Sequence, residues 1–372
     1  MVKKIVKFLK EWTLPCAITV GTLVYLTFYW VPQLDELGNR LSPVIDTLFP
    51  LSVFMTLFVT FCKIDFHQMR PHRWHAAVLA AQLLLVAVTV AIILWAKQGA
   101  TAGDSKFFTL HSSLSTIHSS CVPSVASEQS SSALFTNEAP LLWEALLTCI
   151  IGPAASASPV VVGKLGGNIS TMTGYVLLSS LASAVMIPLV FPMLEQAVHV
   201  DFTTAFLIIL EKVSTVLLLP LALGWVVQHY LPRLQQRIAV HPNLSFYCWA
   251  MSLSITTGIT VKNIVHSEAA VSLLIAIAIA SLLLCFLQFA IGRGIGRMMS
   301  SDNTAKNNRP TEIEINTGQA LFQKNTALSI WVAYMYLNPV ASIGAGCYVL
   351  WQNIINTVEI WQRQHLRLRI KD

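Results

Sequence analysis

Apolar segments long enough to cross a lipid bilayer recur along this chain. A helix needs about 20 apolar residues to span the hydrocarbon, and only helices or closed barrels satisfy their backbone hydrogen bonds there. These segments are too long for barrel strands, so they predict helices. Charged residues make up only 11% of the sequence, too few to coat a soluble protein. The pattern predicts an all-α membrane protein and excludes a soluble enzyme, a disordered chain and a basic nucleic-acid-binding domain.

Ten transmembrane helices are predicted from the apolar segments. They cover residues 13–31, 44–62, 75–96, 139–163, 170–194, 203–228, 246–264, 269–296, 313–335 and 340–361. The chain then divides into a basic N-terminus (1–12), spans one to three (13–96), a serine-rich loop (97–138), spans four and five (139–194), spans six to eight (203–296), spans nine and ten (313–361) and a basic tail (362–372).

The basic residues test this count, because Lys and Arg accumulate in cytoplasmic loops. With the N-terminus in the cytoplasm, eighteen of the 24 basic residues fall on the inside. An error of one span would scramble this alternation. The distribution predicts a multi-pass protein of the cell's inner membrane with both termini cytoplasmic. The 97–138 loop is then external, and is either an insertion or a lid or docking arm.

Two predicted spans carry the features that interrupt a helix within a membrane. Gly152, Pro153 and Pro159 are expected to break the fourth span, because proline removes a hydrogen-bond donor and clashes with the preceding turn. Gly318 is expected to break the ninth. A polar run follows it near the bilayer centre, consisting of Gln319, Gln323, Lys324, Asn325 and Thr326.

The positions of these two spans indicate a class of protein. Spans four and nine lie five apart, as expected for corresponding elements of two inverted five-helix repeats. Interrupted helices in such positions are typical of the binding site of a secondary transporter. The sequence contains neither a phosphate-binding Gly-Lys-Ser/Thr loop nor a His-Glu-x-x-His pair, so an ATP-driven pump, a zinc hydrolase and other enzymes are not expected.

The chain also resembles the bile acid:sodium symporter family. The resemblance is carried by LFPLSVFMTLFVTFCKIDF, by GPAASASPVVVGKLGGN, by QKNTAL and by the tenth-span sequence GAGCYVLWQN. It implies a panel of spans one, two, six and seven beside a core of the other six, in which broken helices four and nine cross. The implied ion- or substrate-binding residues, with the polar residues adjacent to them, are Gln82, Ser156, Ser158, Asn168, Ser170, Thr171, Thr173, Gln319, Gln323, Lys324, Asn325 and Thr326.

Lys324 leaves two kinds of role open. Its ammonium would stand where a sodium ion binds, or it would titrate and carry a proton. A structural role is the alternative, in which the lysine reaches the cytoplasmic face or pairs with Glu314 or Asp302. Charges inside a membrane are costly and usually functional, which favours the first kind of role.

Together these features predict a secondary transporter of a small organic anion, bile-acid-like or another carboxylate or sulfonate. The family resemblance implies sodium as the coupling ion, although a metal site is uncertain. Proton-coupled or ion-independent transport through Lys324 is the alternative, and a membrane sensor that binds without transport is a further one. The expected partners are the substrate and the lipid bilayer. No cofactor, nucleic acid or obligate protein partner is expected.

Overall fold

The computed structural model describes residues 13–63, 72–114, 129–194, 202–241, 244–267, 269–300 and 310–368. These residues form α-helices joined by short connections, with one 3₁₀ turn at Pro32–Leu34. The helices are α1 (Thr13–Trp30), α2 (Asp35–Lys63), α3 (Arg73–Leu114), α4 (Gln129–Ile151), α5 (Ser158–Leu165), α6 (Ile169–Leu194), α7 (Phe202–Tyr230), α8 (Pro232–Ala239), α9 (Leu244–Val265), α10 (Val271–Met299), α11 (Glu312–Phe322), α12 (Thr326–Tyr336) and α13 (Pro339–Leu368).

Five of the described helices are long and apolar enough to cross a membrane, judged by length and composition. They are Glu36–Lys63, Arg73–Gln98, Ile169–Leu194, Phe202–Tyr230 and Val271–Met299. They coincide with predicted spans two, three, five, six and eight. An all-helical membrane protein is therefore confirmed, whereas the count of ten spans stays a prediction.

The fourth and ninth predicted spans are each split into two helices. In the fourth, α4 ends at Ile151 and α5 begins at Ser158. Pro159 lies in the first turn of α5, where the missing N–H has no helical partner to lose and the fixed φ suits a helix start. In the ninth, α11 ends at Phe322 and α12 begins at Thr326.

Gly318 does not break a helix, contrary to the prediction. It lies inside α11 and is buried. A Cβ added there would lie 3.0 Å from Nε of Arg293 on α10. The glycine instead leaves room for the Arg293 side chain, and α11 continues for four more residues before it ends.

The segment 97–138, predicted as a loop, is helical at both of its ends. Helix α3 continues to Leu114, and α4 begins at Gln129. Good helix formers such as Lys97, Gln98 and Ala100 follow the apolar part of α3 without an intervening proline. Residues 115–128 lie outside the described residues, as do residues 1–12 and the end of the basic tail. The external position of this segment stays a prediction.

Two buried apolar clusters lie on either side of the helix interruptions. The larger cluster joins α2, α3, α4, α6, α7, α12 and α13. The smaller joins the start of α3 with α5, α6 and α11. Each interrupted span contributes one half to each cluster, so hydrophobic burial fixes both halves and leaves the polar interruptions between them.

Lys97 ties together three helices. Nζ of Lys97 lies 2.7 Å from Oε1 of Glu144 on α4, and it donates a hydrogen bond of 2.7 Å to the carbonyl of Leu194 at the end of α6. The Glu144 carboxylate is buried, with 1% of its side chain exposed. A buried carboxylate is tolerated where a cation accompanies it.

Lys97→Met is expected to lower the free energy of unfolding by about 2 kcal/mol. The substitution removes the cation that accompanies a buried carboxylate, and the loss is reduced because Lys97 is itself partly solvated. The measurement is the denaturation midpoint of the purified protein in detergent. Lys262→Met, at an exposed lysine on α9, is the control. Equal midpoints for the two variants would contradict the prediction.

Candidate binding site at two interrupted helices

The two interruptions lie side by side and bond to each other through their backbones. Ala154 and Lys324 form an antiparallel bridge. The N–H of Ala155 donates to the carbonyl of Gln323 at 2.8 Å, and the N–H of Asn325 donates to the carbonyl of Pro153 at 2.8 Å. Groups freed when each helix ends are thus satisfied by the other segment, as a buried interruption requires. We call this contact the junction.

Gln82 of α3 binds the end of α4. Its Nε2 donates to the carbonyls of Ile150, at 3.1 Å, and of Gly152, at 3.0 Å. The side chain is 1% exposed. Its predicted place beside the fourth span is therefore found, but both of its observed amide N–H bonds go to backbone carbonyls. Gln82 positions the interruption in this conformation.

Two serines of α6 complete the first interruption. The Ser183 hydroxyl donates to the carbonyl of Ile151 at 3.0 Å, and the N–H of Ala154 donates to Oγ of Ser179 at 3.1 Å. Their small side chains face freed backbone groups, a role that only the fold reveals.

The second interruption is held in the same manner by α13 and α10. The Tyr348 hydroxyl donates to the carbonyl of Phe322 at 2.8 Å and accepts from Gln288 of α10 at 3.0 Å. Gln352 accepts from the N–H of Lys324 at 3.1 Å and donates to its carbonyl at 3.3 Å. None of these three side chains was predicted from the sequence. Polar residues at i and i+4 in an apolar span, as at 348 and 352, are the signal that could have found them.

Lys324 is buried at the junction without a partner for its side chain. It is 1% exposed, and within the described residues its Nζ has no hydrogen-bond partner. The alternative of an exposed, cytoplasm-facing lysine is therefore wrong. Pairing with Glu314 is also wrong, because Glu314 is bound by Arg297 and by the backbone of Thr311. Asp302 lies outside the described residues.

Other buried polar atoms, on α5, α11, α13 and the second interruption, also lack hydrogen-bond partners among the described residues. They are Oγ of Ser158, Oε1 of Gln319, both amide atoms of Gln323, Oδ1 of Asn353 and Nδ2 of Asn356. Buried polar atoms are normally bonded, so such a set marks a place for a ligand or water. Ser158, Gln319 and Gln323 belong to the predicted set.

A polar network leads from Gln319 toward the end of α13. Nε2 of Gln319 donates to Oδ1 of Asn356 at 3.0 Å and to the carboxylate of Glu359 at 2.9 Å. Glu359 in turn pairs with Arg293 of α10. The carboxylate near Gln319 is thus supplied by α13 and already has its own cation.

Four predicted residues lie at the start of α6 and bind structure there. Asn168 caps the helix by accepting from the N–H of Thr171 at 3.1 Å, and Thr173 donates to the carbonyl of Ile169. Asn316 of α11, which the prediction did not include, donates to Oγ1 of Thr171 at 2.7 Å. Ser170 is half-buried on the same turn. This group ties α6 to α11 and does not form part of the junction.

The remaining predicted residues lie in the interruptions themselves. Asn325 caps α12 by accepting from the N–H of Leu328 at 3.3 Å, and Thr326 is the first residue of that helix. Ser156 lies in the first interruption and is buried. The Asn325 side chain is thus used as a cap. The backbone of Asn325 and of its neighbours forms the junction.

A small pocket opens beside the junction, between the predicted panel and the predicted core. Its walls come from the first interruption, α5, α9 and α13. The lining residues are Ala157, Val160, Val161, Lys164, Trp249, Asn353, Asn356, Thr357 and Ile360. The pocket therefore joins largely apolar walls to Lys164 and to the two asparagines with unbonded amide atoms.

A sodium ion at this site would be held by neutral oxygens. No cluster of three His, Cys, Asp or Glu residues occurs among the residues that the structure describes. The freed carbonyls of Ile150, Ile151, Gly152 and Phe322 each accept a hydrogen bond and keep a second lone pair. A sodium ion at the junction would therefore depend on these carbonyl oxygens and on neutral side-chain oxygens such as that of Ser158.

Comparison with known proteins gave a match to one family model over part of the chain. No curated protein matches the chain. The model described as the Sodium Bile acid symporter family matches residues 128–291, which contain the first interruption, its supporting helix α6 and the pocket residues of α5 and α9. Members of this family are transporters. The match bears out the resemblance seen in the sequence and supports the membership of this chain in the sodium bile acid symporter family.

Proposed function

We propose that this chain is a secondary transporter that moves a small organic anion across the inner membrane by alternating access. The observation that carries the proposal is the junction, where two interrupted helices meet around a buried ammonium. The family match supports transport in general. The class of substrate and the mechanism are argued from the residues of the junction.

The electrostatics of the junction favour an anion. Helices α5 and α12 both begin there, and helix N-termini carry partial positive charge. The first residue before α5, Ala157, provides no side-chain cap. Lys324 adds a full charge when protonated, and its Nζ has no hydrogen-bond partner among the described residues. A carboxylate or sulfonate, as in a bile acid, has the charge and the acceptor oxygens that these groups would bind.

The arrangement of the pocket supports alternating access. In the proposed topology α3–α6 and α10–α13 form a core, and α1, α2, α7 and α9 form a panel, with both termini in the cytoplasm. Trp249 of the panel and Asn353 and Asn356 of the core line the same pocket. The matched contacts also support inverted repeats, because the N–H of Ala154 and the N–H of Lys324 each bond to a side chain of the following long helix.

The coupling ion defines two candidate modes. Sodium coupling is what the family description implies. Proton-coupled or ion-independent transport is the alternative, and the unpartnered ammonium of Lys324 favours it, because a sodium ion beside an ammonium would be repelled.

Uptake by proteoliposomes tests the proposal. Suitable probes are taurocholate and p-toluenesulfonate, two sulfonates of different size that remain anionic across the usable pH range. We expect saturable uptake of at least one probe, above that of protein-free vesicles, with inward sodium and proton gradients imposed separately. Binding without uptake under any gradient would instead indicate a sensor. If the protein neither bound nor took up anions, the proposed function would be overturned.

A further inference from the structure

The buried charges of the described residues are matched one to one, with Lys324 left over. Glu144 pairs with Lys97, Glu314 with Arg297 and Glu359 with Arg293. Lys324 has no such partner within these residues. A protonated Lys324 would therefore leave one uncompensated positive charge in the interior.

An uncompensated ammonium in a low-dielectric interior is unfavourable, whereas the neutral amine is far less so. An anion bound nearby removes this penalty. Protonation of Lys324 and binding of an anion thus favour each other, and this coupling is necessarily reciprocal. A site of this kind takes up the anion and the proton together.

The pocket lies where such an anion would act on Lys324. Ala157, in its wall, follows the interruption that pairs with Lys324. Asn353 is also in its wall. It adjoins Gln352, which binds both the N–H and the carbonyl of Lys324. The pocket and Lys324 thus share two supporting segments, the first interruption and the turn of α13 that contains Gln352 and Asn353.

We infer that Lys324 binds a proton when an organic anion enters this pocket and releases it when the anion leaves, so that the chain moves the two together. The inference rests on the proposed function and replaces sodium by a proton. The proton comes from the solution on the side where the anion enters, resides on Nζ, and returns to solution on the other side. The cycle therefore carries no net charge for a substrate with a single anionic group.

Other titratable groups on the surrounding helices are engaged elsewhere. The hydroxyl of Tyr348 is bound between Phe322 and Gln288, and that of Tyr175 lies against Gln82. Cys149 and Cys285 are buried in the apolar cluster around Tyr348. Beyond Gln319 the next charged groups are Glu359 and Arg293, which form an ion pair. Lys164 also lines the pocket but is exposed, so Lys324 is the buried lysine of the described residues whose ammonium has no hydrogen-bond partner.

A binding measurement tests the inference directly. The heat of taurocholate binding to the full-length protein in detergent is measured in two buffers of different ionisation enthalpy, which gives the number of protons taken up. The same titration is run with Lys324→Gln, with Lys324→Arg and, as a control, with Lys262→Gln on the exposed end of α9.

We expect about one proton taken up per anion by the unmodified protein and by the control. Near-zero uptake is expected for Lys324→Gln and Lys324→Arg, and the arginine variant, which keeps a permanent charge, should still bind. Binding without proton uptake by the unmodified protein overturns the inference and leaves anion binding intact. If neither sulfonate binds, the proposed function is overturned as well. This comparison holds even if a variant fails to fold.

Transport gives an independent result. An inward proton gradient is expected to drive accumulation of the sulfonate in proteoliposomes, and a sodium gradient alone is not. Lys324→Arg should lose proton-driven accumulation while keeping exchange of labelled for unlabelled anion. Accumulation driven by sodium at equal pH on both sides would overturn the inference.

Discussion

Gln82→Leu is expected to lower the free energy of unfolding by about 4 kcal/mol and to abolish anion uptake. Leucine has a similar size but donates no hydrogen bond. The carbonyls of Ile150 and Gly152 would lose their bonds to Nε2, and each unsatisfied buried carbonyl costs about 1–3 kcal/mol. The interruption would then relax from the conformation that pairs with Lys324. Denaturation in detergent and uptake by proteoliposomes measure the two effects.

Gln236→Leu provides the control for this substitution. Gln236 is exposed on α8, so the same change of residue should leave both stability and uptake close to those of the unmodified protein. If Gln82→Leu were as stable and as active as Gln236→Leu, the role assigned to Gln82 would be wrong.

Gly344→Ala is expected to destabilise the protein by about 3 kcal/mol. A Cβ at this position of α13 would lie 2.1 Å from the carbonyl oxygen of Ala145 on α4. The two helices would have to separate, and overpacking of this kind costs about 1–3 kcal/mol or more. The separation would also move Tyr348 and Gln352, which hold the second interruption. Thermal denaturation in detergent measures the loss.

Gly294→Ala on α10 is the matched substitution, with the opposite expected sign. Nothing lies within 4 Å of a Cβ built at Gly294, and alanine favours a helix over glycine by up to about 1 kcal/mol. The same substitution, glycine to alanine, thus distinguishes a glycine that is needed for close helix packing from one that is not. Stabilisation by both substitutions would show that α13 and α4 are less closely packed than described.

Sequence patterns predicted the features that depend on composition along the chain. The helical class follows from apolar length, and the interruption of the fourth span follows from Pro153 and Pro159. Gly318 shows where this kind of reasoning fails. Glycine lowers helix propensity, but the neighbouring Arg293 and the burial of α11 determine what it does, and neither is visible in the local sequence.

The candidate site was predicted in part for the same reason. Gln323 and Lys324 are polar residues in an apolar span, which singles them out, whereas Gln82 and Ser158 were implied by the family resemblance. Asn168 and Thr173 were included because they lie in or beside the segment that carries this resemblance, yet they cap and support α6. Tyr348 and Gln352 were missed because they meet the second interruption only after α13 folds back against it, a contact that requires the tertiary fold.

The backbone pairing at the junction has a consequence for biosynthesis. Ala154 and Lys324 are 170 residues apart in the chain, and at about 5–20 residues per second the ribosome needs roughly 10–30 s to make the intervening segment. During that time the N–H of Ala155 lacks its acceptor within the nascent protein. The first half of the chain therefore lies in the membrane with these backbone groups unpaired until the second half has been made. A chain that terminates between the two segments would keep them unpaired, which favours its degradation.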